Sequence, residues 1–149
     1  MVSRGNGVGD PLALTLSREP LRLRSAPIGT VQLRLRQRFR VVRDGPTRFH
    51  VSTESYFYRL DDATGRELAA WHWHPGQLVD YPHAHVTCDT LTSAAHLPTG
   101  RVSIESVLRL LLDDLGVTAK RADYTNVLDE AERPFIQHRR WHARGPGSG

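Results

Sequence analysis

Residues 71–86, WHWHPGQLVDYPHAHV, contain four of the chain's eight histidines in two His-x-His pairs that flank a Pro-Gly turn. Imidazole changes its charge near neutral pH, and its ring nitrogens bind transition metals. Alternate residues of a strand point to the same face of a sheet. The spacing of His72, His74, His83 and His85 therefore predicts a histidine-bearing sheet face, whose chemistry is either acid-base catalysis or metal binding.

A row of arginines is the second feature with chemical potential. The chain carries 20 Lys and Arg against 16 Asp and Glu, a net charge of +4, and Lys120 is its only lysine. In residues 31–41 arginine alternates with mostly apolar residues, which puts four guanidinium groups on one face of a strand. These residues are Arg34, Arg36, Arg38 and Arg40. Because guanidinium groups bind phosphate oxygens in a forked geometry, we interpret this row as a candidate RNA-binding surface.

An antiparallel sheet is the element that must position both groups. Apolar alternation at period two predicts a meander of about four strands. They are expected within residues 31–41, 47–60, 67–74 and 83–90. Alternating leucines from residue 12 onward are available for a fifth strand at an edge. An Asp-Gly turn at Asp44 joins the first two strands into a hairpin.

A helix must cover one face of this sheet. Apolar residues recur at helical spacing through residues 103–115, with Ser103 placed to cap the start and Gly116 placed to end the helix. A second helical segment is expected at about 126–133, ended or kinked by Pro134. The predicted fold class is α+β: an antiparallel sheet of about four to five strands, one amphipathic helix on one face and a C-terminal helical segment.

Composition and the chain ends bound the organisation of the protein. We expect a flexible leader at 1–10, a single α+β domain at 11–144 and a flexible tail at 145–149. Cys88 is the only cysteine, which excludes a disulfide within the chain and fits a reducing compartment. No run of about 18 apolar residues could span a membrane, and a signal-peptide core is missing. We therefore expect a cytoplasmic protein without membrane contact.

The two faces of the sheet are expected to differ. If Trp71 and Trp73 pack on the helix, all four histidines lie on the opposite face. We expect that histidine face to collect the arginine row as well, together with Glu54, Tyr56 and Tyr58. His96, in the following segment, is assigned to a loop.

Three kinds of function remain open for such a face. The first is metal-independent cleavage of RNA, with no cofactor: His83 and His85 act as acid or base, and His72 and His74 form a second pair or bind phosphate. Tyr56 and Tyr58 would orient the substrate in that mechanism. The second is a non-catalytic domain that binds nucleic acid or protein. The third is a metal-binding His-x-His protein, similar to the cupin arrangement but without the cupin glycine and glutamate spacing.

A further pattern allows a variant of the first function. The segments FHVST and AHVTC both fit the element His-hydrophobic-Ser/Thr of the two-histidine phosphoesterases. The residues concerned are His50, Ser52, His85 and Thr87. This variant requires the two segments to lie together in the fold.

A longer succession of segments resembles a known family. YFYRLDDATGRELAAWHWHPG, then YPHAHV, then SIESVLRLLLDDLG resemble the TumE-type toxins of bacterial toxin-antitoxin systems, over about residues 47–116. The most specific segment is YPHAHV, whose His83 and His85 match the family's Pro-His-x-His element. The resemblance implies a type II toxin that acts on RNA and is neutralised by a cognate helix-turn-helix antitoxin protein. Our hypothesis at this stage is a metal-independent endoribonuclease toxin, and a homo-oligomer is compatible with it.

Overall fold

The computed structural model describes residues 7–87 and 95–138. Within them the chain forms an antiparallel sheet followed by two helices, which confirms the α+β class. The strands are β1 Pro11–Thr15, β2 Leu21–Ser25, β3 Gly29–Arg43, β4 Phe49–Asp62, β5 Glu67–Trp73, β6 His83–Val86 and β7 Leu97–Pro98. The helices are α1 Ile104–Arg109, which continues into a π-helical turn over Leu110–Asp114, and α2 Tyr124–His138.

The sheet has seven strands rather than the predicted four to five, and runs in the order β1-β3-β4-β5-β6-β7. The N-terminal segment makes two strands instead of one, because Pro20 interrupts it and a proline cannot donate to a ladder. Both strands pair with the same edge of β3, which is 15 residues long. The short strand β7 pairs with β6 and closes the other edge.

The hydrophobic core lies between one face of the sheet and α1. Its buried members are Val31, Leu33, Leu35, Tyr56, Tyr58, Leu60, Val107 and Leu111. Trp71 and Trp73 pack against this cluster, as predicted. The Ser103 hydroxyl accepts a hydrogen bond from the Ser106 amide at 2.9 Å and caps α1 as expected. The alternation of β3 therefore buries its apolar face under the helix and leaves its arginines on the other side.

The helices differ from the prediction in their bounds. The predicted helix over 103–115 is divided into α1 and the π-helical turn, and Gly116 follows with a positive φ of 60°. The predicted end of the second helix at 133 is wrong, since α2 runs through Pro134 to His138. Before the proline, two α2 residues anchor the helix. Asp129 forms an ion pair with Arg109 of α1, and Glu132 accepts a hydrogen bond from the hydroxyl of the cap residue Ser103. Tertiary contacts thus outweigh the local preference.

Some expectations fall outside the described residues. These are the first six residues of the leader, Cys88 with the predicted end of the fourth strand at 88–90, and the tail at 145–149. In the part of the chain that the structure describes, neither helix is long and apolar enough to cross a membrane.

Candidate functional site

The pairing of β5 with β6 brings the two His-x-His pairs together. His72 lies opposite His83, and Ala70 lies opposite His85, so all four histidines share the face that points away from α1. The ring centroids are 4.8 Å apart for His72 and His85, and 5.4 Å apart for His72 and His83. The alternation predicted this shared face, and the register turns it into a compact cluster.

Three of these histidines have the geometry of a metal-ligand set. One ring nitrogen from each of His72, His83 and His85 lies within 4.8 Å of the other two. The Nε2 atoms of His72 and His85 are buried and have no hydrogen-bond partner within the described residues. Buried polar atoms are nearly always paired, and those that are not call for an explanation such as a bound ion. We call these three residues the histidine cluster.

A second layer of groups orients the cluster. His83 is only 3% exposed, and its Nδ1 lies 3.0 Å from the Tyr81 carbonyl oxygen. A carbonyl only accepts, so this contact places a proton on Nδ1 and leaves Nε2 as the nitrogen that could bind a metal. His85 Nδ1 faces Glu67 Oε1 at 3.7 Å, and the Arg59 guanidinium lies 3.5 Å from the other Glu67 oxygen. Carbonyl and carboxylate groups beside Nδ1 are the usual outer partners of metal-binding histidines. The carbonyl is within hydrogen-bond distance of His83, whereas the carboxylate stands farther from His85.

Two further histidines border the cluster. The His96 ring lies 4.9 Å from His83 and 4.7 Å from His85, and its side chain is exposed. The His74 ring lies 5.6 Å from that of His72. Sequence reasoning missed His96 and Glu67 as members of this site. No local pattern marks either residue, since His96 arrives through the pairing of β7 with β6 and Glu67 through a bulge in β5.

Burial and the neighbouring imidazoles disfavour the protonated form of His72, His74 and His85. Desolvation, and after it the charges of His85, His83, His74 and His96, together lower the pKa of His72 to about 4. Desolvation also lowers the pKa of His85 and of His74. Neutral imidazole is the form that binds a metal, whereas a general acid at neutral pH must be protonated. The electrostatics of the site therefore favour ligation over proton donation.

The arginine row lies on the same face as the histidines, as the alternation predicts. Across three neighbouring strands Arg36 is opposite Phe57, and Phe57 is opposite His72. The register shifts between Arg38 and Phe39, which leaves Glu54 as an extra residue of β4. Glu54 accordingly lies on the arginine face and bonds to Arg40. The expected position of Glu54 is thus confirmed. The bulge puts it on this face, whereas simple alternation from Tyr56 would have placed it on the core face.

The expected position of Tyr56 and Tyr58 is wrong. Both are buried in the core face, opposite Trp73 and Trp71 respectively. Their hydroxyls are satisfied there, because Tyr56 accepts from the Val102 amide at 3.1 Å and Tyr58 donates to the Gln37 amide oxygen at 2.9 Å. Burial raises the pKa of both tyrosines, so neither ionises near neutral pH. The sheet separates them from the histidines, and we assign them no part in the site.

The two-histidine phosphoesterase variant also fails on geometry. His50 lies seven positions before Phe57 on β4, and Phe57 is the residue whose ring contacts His72 at 4.8 Å. At about 3.3 Å per residue this places the His50 backbone roughly 20 Å from the histidine cluster. His50 and His85 therefore do not share a site.

Known proteins were compared with this chain at three levels. No family model, no curated protein and no solved structure gives a match.

Proposed function

We propose that the histidine cluster binds one divalent transition-metal ion and that the protein is a metal-dependent hydrolase. The observation that supports this is the approach of three imidazole nitrogens, from His72, His83 and His85, to within 4.8 Å of one another. Two of these rings carry a buried Nε2 without a partner in the described chain, which a coordinated ion would satisfy.

The donor set indicates the class of ion. Imidazole nitrogens suit zinc, copper, iron and nickel rather than magnesium or calcium, which prefer oxygen ligands. Three protein ligands with a remaining open position are typical of catalytic rather than structural zinc sites. The exposed His96 marks the side on which the cluster meets solvent. A zinc-class ion bound there would act as a Lewis acid and activate water.

The chain's own groups would prepare the ligands. The Tyr81 carbonyl holds the proton of His83 on Nδ1, and Glu67 faces Nδ1 of His85. Both contacts occupy Nδ1, which leaves Nε2 as the nitrogen that each ring could offer to the ion. Glu67 is in this proposal a positioning residue, and Arg59 keeps it in place.

A zinc titration tests the proposal directly. Tag-free protein is stripped with EDTA and titrated with Zn²⁺ against a chromophoric chelator. We expect one ion per chain, and a loss of at least about 100-fold in affinity for His83→Ala/His85→Ala, because two of three ligands are removed. His50→Ala, far from the cluster, is the matched control and should bind as the wild type does. Equal zinc affinity in all three proteins would rule the site out.

The metal-independent ribonuclease toxin is the second candidate. It is favoured by the position of the YPHAHV segment, which puts His83 and His85 side by side, with ring centroids 5.3 Å apart, on the arginine face. In this alternative the protein acts on RNA in the cytoplasm and is neutralised by a helix-turn-helix antitoxin. Cleavage by EDTA-treated protein that leaves 2′,3′-cyclic phosphate ends would support it. Cleavage that appears only after zinc is restored would support the metal centre, and intact RNA with salt-sensitive binding would support a binding domain.

A further inference from the structure

The face that carries the histidine cluster is cationic beyond the predicted row. The register of β2 on β3 adds Arg22 and Arg24 to the same face, since they lie opposite Gln32 and Thr30. The exposed arginines of this face are Arg22, Arg24, Arg34, Arg36, Arg38 and Arg40. The carboxylates that the described residues place on this face are engaged: Asp61 is bonded to Arg59 at 2.5 Å, Glu67 faces Arg59, and Glu54 is bonded to Arg40. The surface therefore retains an excess of positive charge.

Within this face Arg36 and Arg38 are the arginines nearest the cluster that remain available. Both are exposed, and neither forms an ion pair within residues 7–87 and 95–138. Arg34 by contrast lies 3.6 Å from Asp61, and Arg40 binds Glu54 and the Gly9 carbonyl. The predicted row thus contains two kinds of arginine. Arg34 and Arg40 are bound to other groups of the protein, whereas Arg36 and Arg38 are available to bind a ligand.

The free arginines stand at a fixed offset from the histidines. Arg36 and His72 are separated by one strand and lie on the same cross-strand line through Phe57. At about 4.8 Å per strand the two backbones are roughly 10 Å apart. Arg38 and His74 line one shallow surface depression together with Ser55. A ligand that reaches the cluster along this face therefore passes the two arginines.

Phe57 supplies an aromatic surface between the two groups. Its ring is half-buried and lies 4.8 Å from the His72 ring at an angle of 48°. Proteins bind single-stranded nucleic acid with two kinds of group. Guanidinium groups bind the backbone phosphates, and aromatic rings stack on the bases. An acidic peptide would use the arginines but leave the ring without a function, and duplex bases are not free to stack on it.

We propose that this face binds single-stranded nucleic acid as the substrate of the metal centre. Arg36 and Arg38 hold backbone phosphates, Phe57 stacks a base, and the strand then reaches His72. This inference names the substrate class of the proposed hydrolase. The cleavage reaction rests on that proposed function, whereas the binding of single strands does not.

Fluorescence anisotropy with fluorescein-labelled RNA and DNA strands of about 12 nucleotides tests binding. EDTA-treated protein is used, so that binding is measured without the metal. We expect Arg36→Gln/Arg38→Gln to weaken binding about tenfold or more and to lower the slope of log affinity against log salt by about 1.4, at about 0.7 per phosphate contact. Phe57→Leu should weaken binding about tenfold and leave the salt slope unchanged.

The matched control is Arg121→Gln/Arg133→Gln, which removes the same charge from exposed positions outside the sheet. Equal losses in the two double variants, or tighter binding of a duplex or a polyglutamate peptide than of a single strand, would overturn the inference. If RNA and DNA bind equally tightly, the protein recognises phosphates and bases. If RNA binds more tightly, the protein also contacts the 2′-hydroxyl.

Zinc titration without nucleic acid and anisotropy without zinc separate the two proposals, because either can fail while the other holds. Strand cleavage after Zn²⁺ or Ni²⁺ is added to the bound complex is the expected final result. Binding without cleavage under either ion would contradict the assignment of nucleic acid as the substrate.

Discussion

At the scale of single residues, the site depends on imidazoles whose protonation burial disfavours, those of His72 and His85, and on the groups that contact them. His72 is the clearest example, since burial and four neighbouring histidines lower its pKa to about 4. The same crowding that makes protonation unfavourable brings the ring nitrogens close enough to share one ion.

The stability of the metal-free protein should fall as pH is lowered from about 6.5 toward 4. In this interval the unfolded chain binds a proton at His72 that the folded chain does not, because the folded pKa is about 4 against an ordinary 6.5. The contribution is present above about pH 6.5 and is lost as pH falls to the folded pKa. Urea unfolding of wild type and His72→Gln across this range checks it, with the steeper decline expected in the wild type. Parallel curves would contradict the burial of a neutral His72.

Replacing Glu67 should weaken the metal site without removing a ligand. Glu67→Gln keeps the shape of the side chain but removes the charge that faces His85 Nδ1 at 3.7 Å. Loss of such an outer partner typically lowers metal affinity 10- to 100-fold, and we expect about tenfold for zinc. The control is Glu54→Gln, which lies on the same face but pairs with Arg40. A variant whose zinc affinity equals that of the control would show that Glu67 does not position His85.

At the scale of elements, the sheet keeps two chemistries apart. The face toward α1 holds the aliphatic core with Tyr56 and Tyr58, and the opposite face holds histidine and arginine. The tyrosine rings are stacked with centroids 4.8 Å apart, and both hydroxyls are bonded within the core. Their polar ends thus serve packing rather than catalysis.

Tyr58→Phe should therefore affect stability and not the site. The substitution leaves the Gln37 amide oxygen without the donor it has at 2.9 Å, at a cost of about 1 kcal/mol in unfolding free energy. Zinc affinity should stay within about twofold of the wild type. Chemical denaturation and the chelator titration measure the two quantities on the same sample. A large loss of zinc affinity with unchanged stability would return Tyr58 to the site.

At the scale of the whole molecule, a bound ion would connect two neighbouring strands near one edge of the sheet. His72 belongs to β5, and His83 and His85 belong to the four-residue strand β6, whose outer side pairs with the two-residue strand β7. Short strands contribute few backbone bonds of their own. Coordination would therefore stabilise this edge more than the long β3-β4 hairpin.

Zinc should accordingly raise the thermal midpoint of the protein. An ion that binds only the folded state stabilises it by about 2.7 kcal/mol at 100 times its dissociation constant. We expect hydrogen exchange in β6 to slow most, and His83→Ala/His85→Ala to show neither effect. His50→Ala should respond as the wild type does. A midpoint that rises equally in the double variant would indicate binding elsewhere.

The alternation of β3, that of the two His-x-His pairs and the bounds of the first helical region were determined by the sequence itself. Alternation along β3 separates its arginines from its apolar residues, and alternation within residues 71–86 puts each His-x-His pair on one face. Ser103 and Gly116 mark the start and the end of the first helical region for reasons of local backbone geometry. These features depend on neighbours within a few positions, which a sequence displays directly.

Only the tertiary structure decided which strand faces met, because register and bulges depend on pairing between distant segments. The register of β4 with β5 put Tyr56 and Tyr58 in the core, and the extra residue Glu54 moved to the arginine face. The pairing of β6 with β7 brought in His96, and the bulge in β5 turned Glu67 toward His85. A shift of one residue exchanges the two faces of a strand, so no local pattern fixes these contacts.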